Sequence, residues 1–251
     1  AKKTSVGSGG NATSRIGFKG EKPLQNGVKA SFVFEAQVFA DSGDGQFTNT
    51  NNQTTGTSAS TSSPLATGTG LSFARRSTVS LSNEKGEIRA GRDFSSHYRN
   101  RVEVDPFGNA GIGAIQPFLD SKGGSTSTRV SNMVGYYLPT FNNGVYGQIQ
   151  YFVGENASNS TNPDDGTGVS GRLGWQSGAW NISFASASIK YKSVAAVAAS
   201  GSTAAVAAAG DVSSVNLGIR YKLSDLQLMA GVYRDEVNQL PKVLKADGWM
   251  V

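Results

Sequence analysis

Apolar and polar residues alternate with a period of two in run after run along this chain. In Val28–Phe39, one face carries Ala30, Phe32, Phe34, Ala36 and Val38, and the other carries Lys29, Ser31, Glu35 and Gln37. That period predicts a β-strand, whose successive side chains point to opposite faces. Within Ser14–Glu21, Ile16 and Phe18 stand opposite Arg15, Lys19 and Glu21. The pattern returns in Val145–Phe152, Val169–Trp175, Val215–Lys222 and Leu226–Tyr233. A soluble sandwich also alternates, with its apolar face inside. Here, however, the polar faces carry guanidinium, ammonium and amide groups that a dry core does not accept unpaired. An apolar face toward lipid and a polar face toward a wet lumen accounts for both sides.

The connections sharpen that choice. Very short links (Glu84–Gly86, Asn142–Gly144, Ser177–Ala179, Ser224–Asp225) alternate with long ones (Asp41–Gly70, Phe94–Thr128, Asn156–Gly168, Val194–Asp211). An up-and-down barrel with tight turns at one rim and long loops at the other has this organisation. Structureless loops of such length are uncommon inside a compact soluble domain. Tyr136, Tyr137, Phe141, Tyr146, Trp175, Trp180, Tyr191, Tyr221 and Tyr233 fall near predicted strand ends. Amphipathic aromatics belong at the headgroup level of a membrane barrel, though strands favour aromatics in any setting.

Composition adds mainly exclusions. The 251 residues include 32 Gly, well above the usual share of about 7%, and Gly, Ser, Thr and Asn disfavour a helical protein. Without cysteine there is no disulfide or thiolate site, and one histidine, His97, leaves little for a zinc site or a His-based catalytic system. The formal net charge of +5 is dispersed among strand-like segments, so nucleic acid is not an expected partner. No apolar run approaches the ~18–20 residues of a spanning helix, whereas a spanning strand needs only ~9–11. Asp41–Asp44 and Asn162–Asp165 lack the spacing of a calcium loop. Gly7–Gly10 and Gly166–Gly171 open no helix that could cradle phosphate. No cofactor and no metal are expected.

Several motifs together resemble the trimeric general porins of the Gram-negative outer membrane, in their beta-proteobacterial form. These are Ser14-Arg-Ile-Gly-Phe-Lys-Gly-Glu21, Phe73-Ala-Arg-Arg-Ser-Thr-Val-Ser-Leu-Ser82 followed by Gly86-Glu-Ile-Arg-Ala-Gly-Arg-Asp93, and Arg129-Val-Ser-Asn-Met-Val-Gly-Tyr-Tyr-Leu-Pro139 followed by Gly147-Gln-Ile-Gln-Tyr151. The resemblance implies an all-β, antiparallel transmembrane β-barrel of about sixteen strands when complete. Roughly eleven are visible here, so the chain is expected to be one porin domain over 1–251, incomplete at both ends. The family's third loop folds inward as a constriction, which would fall at about 95–125. Its acidic candidates are Asp105 first, then Glu103 and Asp120, with Glu35 on a strand as an outside candidate. An arginine ladder on the facing wall would be formed by Arg15, Arg76 and Arg129, with Arg75, Lys19 and Arg89 as additions. By alternation Arg76 shares a face with Thr78 and Ser80, so it is preferred over Arg75 for the lumen; a bulge would exchange them.

The resemblance further implies a homotrimer, integral in the outer membrane among lipid and lipopolysaccharide, passing small hydrophilic solutes and inorganic ions. Arginine stays charged whatever its neighbours, so a surplus of guanidinium over carboxylate predicts weak to moderate anion preference. The competing reading of these arginines is structural ion pairing. A substrate-specific channel or a surface adhesin barrel is the alternative, the latter on the Asn/Thr/Ser/Gly-rich Asp41–Gly70 loop. In the family that loop reaches a neighbouring subunit, so a trimer latch competes. An enzyme is not expected: His97 follows Ser95–Ser96, but no rigid strand pattern presents a catalytic set there.

Overall fold

The computed structural model of the chain describes residues 2, 4–46, 48–53, 70–110, 128–139, 141, 143–192, 210–238 and 243–250. The strands in chain order are β1 (Arg15–Pro23), β2 (Lys29–Phe39), the two-residue β3 (Asp44–Gly45), β4 (Arg76–Asn83), β5 (Gly86–Phe94) and β6 (Arg129–Leu138). They continue with β7 (Val145–Phe152), β8 (Gly168–Ser177), β9 (Trp180–Ile189), β10 (Asp211–Leu223), β11 (Leu226–Asn238) and β12 (Val243–Met250). Each pairs antiparallel with its sequence neighbour, β3 branching off β2, and β1 and β12 are the two ends of the sheet path. Two-residue links at Glu84–Lys85, Gly178–Ala179 and Ser224–Asp225 sit where the sequence placed its tight turns.

One helix, α1 (Ser96–Glu103), follows β5 and lies on one face of the sheet. The sequence does not announce it, because Ser-His-Tyr-Arg-Asn-Arg-Val-Glu has no apolar stripe. Its path shows that the sheet is curled. Arg99 pairs with Asp93 on β5 and Arg101 with Asp235 on β11, six steps apart in the strand order. In a flat sheet that separation is about 29 Å. Two residues only about 3 Å apart along a helix axis bridge it because the sheet wraps around α1.

The two faces have opposite chemistry. Val79, Leu81, Ile88, Val134, Ile149 and Leu173 stand more than half exposed on the convex face. The alternate residues, among them Thr78, Gln148, Gln150, Ser170, Arg172 and Asn216, are buried on the concave face. A soluble protein would have reversed that assignment. Among the described residues no helix is long and apolar enough to cross a membrane, and the apolar surface is carried by strands. At the tight-turn rim, Tyr136 Oη donates to Lys85 O (2.7 Å) and Trp175 Nε1 to Asn143 O (3.0 Å). Trp180 packs against Tyr221 at 4.4 Å. These rings, apolar in body and bonded at their polar tips, suit a membrane–water boundary.

Three glycines shape the concave side. β5 carries a register shift between Gly91 and Asp93. Gly91 has φ +121°, and a Cβ there would lie 2.1 Å from Ser77 O, so only glycine passes. Gly218 and Gly231 are register partners on β10 and β11. A Cβ on either would meet Val104, at 2.6 and 3.2 Å, so together they form the notch that seats the end of α1.

Candidate pore constriction

α1 is held to the wall almost entirely by polar contacts. Ser96 Oγ donates to Gln150 Oε1 (2.7 Å) and accepts from Gln148 Nε2 (3.0 Å). His97 N donates to Ser170 Oγ (3.2 Å), and His97 O accepts from Asn216 Nδ2 (3.1 Å). Asn100 Nδ2 donates to Asn216 Oδ1 (2.7 Å) and Asn100 Oδ1 accepts from Arg172 Nε (2.8 Å). Arg101, buried beneath the Tyr233 ring, donates to both Asp235 oxygens and to Ser214 Oγ. Arg101 Nε is buried without a partner, but the rest of the set is bonded and specifies one seat for the helix, since any displacement strands several groups at once.

That network uses the acids expected to face the pore. Glu103 accepts both Nη groups of Arg172 on β8. Asp105 is buried and accepts the backbone N–H of Phe107 and of Asn109, both at 2.9 Å, closing the turn after α1. Glu35 accepts Arg75 Nε at 2.5 Å. Asp120 lies outside the described residues, as does 111–125 of the expected constriction loop.

The expected cations fall into two groups. Arg75, Arg76, Arg89 and Arg129 gather with Arg99 around the start of α1, whereas Arg15 and Lys19 stand exposed on β1 with no ion pair among the described residues. Arg76 and Arg75 both face the cluster: Arg76 Nε is 3.7 Å from Asp93 Oδ2, and Arg75 reaches Glu35. Alternation does not separate them because β4 begins only at Arg76. Arg89 forks onto Glu87 (2.9 and 2.8 Å), bonds Asp93 at 2.5 Å and stacks on Tyr137 at 3.9 Å. Arg129 donates to Arg75 O (2.8 Å) and lies over Phe94 at 4.4 Å. The cluster has five guanidiniums (Arg75, Arg76, Arg89, Arg99, Arg129) against three carboxylates (Glu35, Glu87, Asp93), a surplus of two among the described residues.

Sequence reasoning missed Asp93, Arg99, Arg101, Arg172 and Asp235 as site residues. Asp93 and Arg172 were accessible to it, since each alternates in step with inward residues of its own strand. The helix residues left no such trace. The aromatic set also divides. Tyr137, Tyr146 and Tyr233 turn inward beneath Arg89, Arg172 and Arg101, because strand parity puts them opposite the lipid face. The described base of the Asp41–Gly70 loop folds onto its own chain: Asn52 Nδ2 donates to Ser131 O (2.8 Å) and Val153 O (3.0 Å), and Gln53 Nε2 to Gly154 O (3.1 Å).

A curled antiparallel sheet, apolar outside and polar inside, with a helix folded into its concavity, defines a transmembrane β-barrel wall. The profile of the Gram-negative porin family matches residues 1–250, and the chain belongs to that family, placing it in the outer membrane as an integral protein. Outer membrane porin protein 32 of Delftia acidovorans is 32% identical over 140 residues, which is 54% of this chain and 33% of that protein. The anion-selective porin from Comamonas acidovorans superposes with a TM-score of 0.73 at 25% identity, covering 97% of this chain and 64% of that one. OmpT of Vibrio cholerae, in its trimer form, shares the fold with a TM-score of 0.63 at 15% identity, over 99% of this chain and 65% of that one. The chain thus spans about a third of the curated relative and under two thirds of these solved structures.

Proposed function

We propose that the protein is a general diffusion porin that passes small hydrophilic solutes and inorganic ions passively, with a preference for anions. The observation that carries this reading is the surplus of two guanidiniums around the start of α1. Fixed cations in a narrow aqueous gap raise the local anion concentration and lower that of cations. Likeness to a protein described as an anion-selective porin supports it. In this reading 1–251 belongs to one barrel domain and about 95–125 is its constriction. Arg76, Arg75, Arg89 and Arg129 supply the field, and Glu35 moderates it. The barrel works as a homotrimer in outer-membrane lipid and lipopolysaccharide.

Single-channel recording of the full-length protein in planar bilayers tests this. An ohmic, anion-preferring conductance is expected in a potassium chloride gradient. One unit charge about 8 Å from a permeating ion in water is worth roughly 0.5 kcal/mol. Removing it therefore changes the local concentration of each ion about 2.3-fold, in opposite senses for anion and cation. Arg76→Gln or Arg129→Gln should lower the anion-to-cation permeability ratio roughly fivefold. Unchanged reversal potentials in both variants would remove these arginines from the pathway. Saturation of the current by one solute would favour a substrate-specific channel.

A further inference from the structure

The convex face changes character toward the long-loop rim of β9–β12. On β11, Leu226, Leu228, Ala230 and Val232 share the outward face, and the next two residues on it are Arg234 and Glu236. Their register partners on β12 are Asp247 and Lys245. Arg234 forks onto Asp247 (2.6 and 3.3 Å), and Lys245 Nζ lies 2.9 Å from Glu236 Oε1. Lys190 and Asp211, where β9 ends and β10 begins, form a third outward pair at 3.0 Å. Ser186, Ser188 and Ser213 occupy the outward positions beside these pairs. One polar patch thus crosses four adjacent strands, and its three cationic side chains are 58–60% exposed.

Its height on the wall is informative. A tilted strand climbs about 2.5 Å per residue. Arg234 therefore stands about 20 Å above Leu226, and Ser186 about 15 Å above Trp180. A lipid-facing apolar band is about 25 Å tall, so the patch begins inside it, where bare charge against hydrocarbon is costly. Trp249, the register partner of Val232, is 74% exposed and lies on the same face just below Asp247. An aromatic at that level marks a membrane–water boundary, lowered in this sector so that polar lipid headgroups reach the patch. Long loops lie at the outer rim of such barrels, which places the patch in the outer leaflet.

We propose that the patch seats the phosphorylated sugar headgroup of lipopolysaccharide, the glycolipid of that leaflet. The proposal rests on the outer-membrane placement and not on the anion-preferring pore, since these residues lie on the opposite side of the wall from α1. Arg234 spends Nε and Nη2 on Asp247, which leaves Nη1 for a phosphate oxygen. Lys245 spends one of three donors on Glu236. The serines and carboxylates suit sugar hydroxyls, and the apolar band below accepts the acyl chains. A glycerophospholipid brings a phosphate but no sugar hydroxyls.

Native mass spectrometry of the full-length, delipidated protein, titrated with diphosphorylated lipid A, tests this. The parent should bind lipid A at least tenfold more tightly than dephosphorylated lipid A or phosphatidylglycerol. Arg234→Gln with Lys245→Gln should weaken lipid A at least fivefold and leave conductance and reversal potential in planar bilayers unchanged. Asp247→Asn with Glu236→Gln releases both cations and should tighten it, a gain that a purely structural role for the pairs does not produce. Equal binding of lipid A by the parent and the cation-free variant overturns the proposal, as does phosphatidylglycerol binding as tightly as lipid A. So does a cation-free variant that changes oligomeric state while keeping lipid A, which would make the face a contact between copies. Should that variant fail to assemble, the parent alone decides, since indifference to the lipid A phosphates contradicts the seat.

Discussion

His97 is enclosed between α1 and the wall, with Nδ1 3.4 Å from Ser170 Oγ and Arg101 one helical turn away. Burial first, and then the Arg101 charge, push its pKa from the ordinary 6.5 down to about 3, with Asp235 pulling the other way. The folded protein therefore refuses a proton that the unfolded chain accepts below pH 6.5. The sign follows: the stability owed to a neutral His97 is complete above pH 6.5 and is lost progressively as pH falls from 6.5 toward 3. The protection factors of the α1 amides, which are exchange rates corrected for the intrinsic pH dependence, should fall across that window, and His97→Asn should flatten the response. An unchanged slope in the variant would assign the acid sensitivity elsewhere. The same residue scale shows what the sequence could reveal of the site. Arg76 was accessible as a candidate from its motif, but strand parity did not separate it from Arg75, because β4 begins only at Arg76. The partners of Glu103 and Asp105 could not be read from the sequence. Arg172 lies 69 residues from Glu103, and the Asp105 contacts depend on a turn that no periodicity encodes.

The strands were legible because each imposes its own period of two, and because tight turns at Glu84–Lys85, Gly178–Ala179 and Ser224–Asp225 punctuate them. α1 was not, since its stability comes from tertiary polar contacts that have no local pattern. Its anchor is the Arg101–Asp235 pair, both side chains 3% exposed. Removing one member strands the other charge in a dry site, which costs about 3–5 kcal/mol, while replacing both with apolar residues of similar volume is often neutral or stabilising. Arg101→Leu or Asp235→Leu alone should therefore destabilise the folded protein by about that amount in denaturant unfolding. The double replacement should recover most of it. A double variant that loses the sum of the two single losses would mean that the pair contributes no coupling.

For the whole molecule, the arrangement separates two sources of selectivity that a static charge count merges. The formal net charge of the chain is +5, a sum that says nothing of where along the pore the charges act. In the function proposed above, what acts on the ion is the surplus of two guanidiniums near α1, and such a field reaches only as far as salt allows. The screening length is about 10 Å in 0.1 M salt and about 3 Å in 1 M. In dilute salt an ion anywhere across a gap of molecular width lies inside the field; in concentrated salt only an ion touching a guanidinium does. The anion-to-cation permeability ratio, measured at a constant concentration ratio across the bilayer, should therefore fall toward unity as mean salt rises from 0.1 M to 1 M. A permeability ratio independent of salt would mean that size or contact binding sets the preference, and that the charge surplus around α1 is structural.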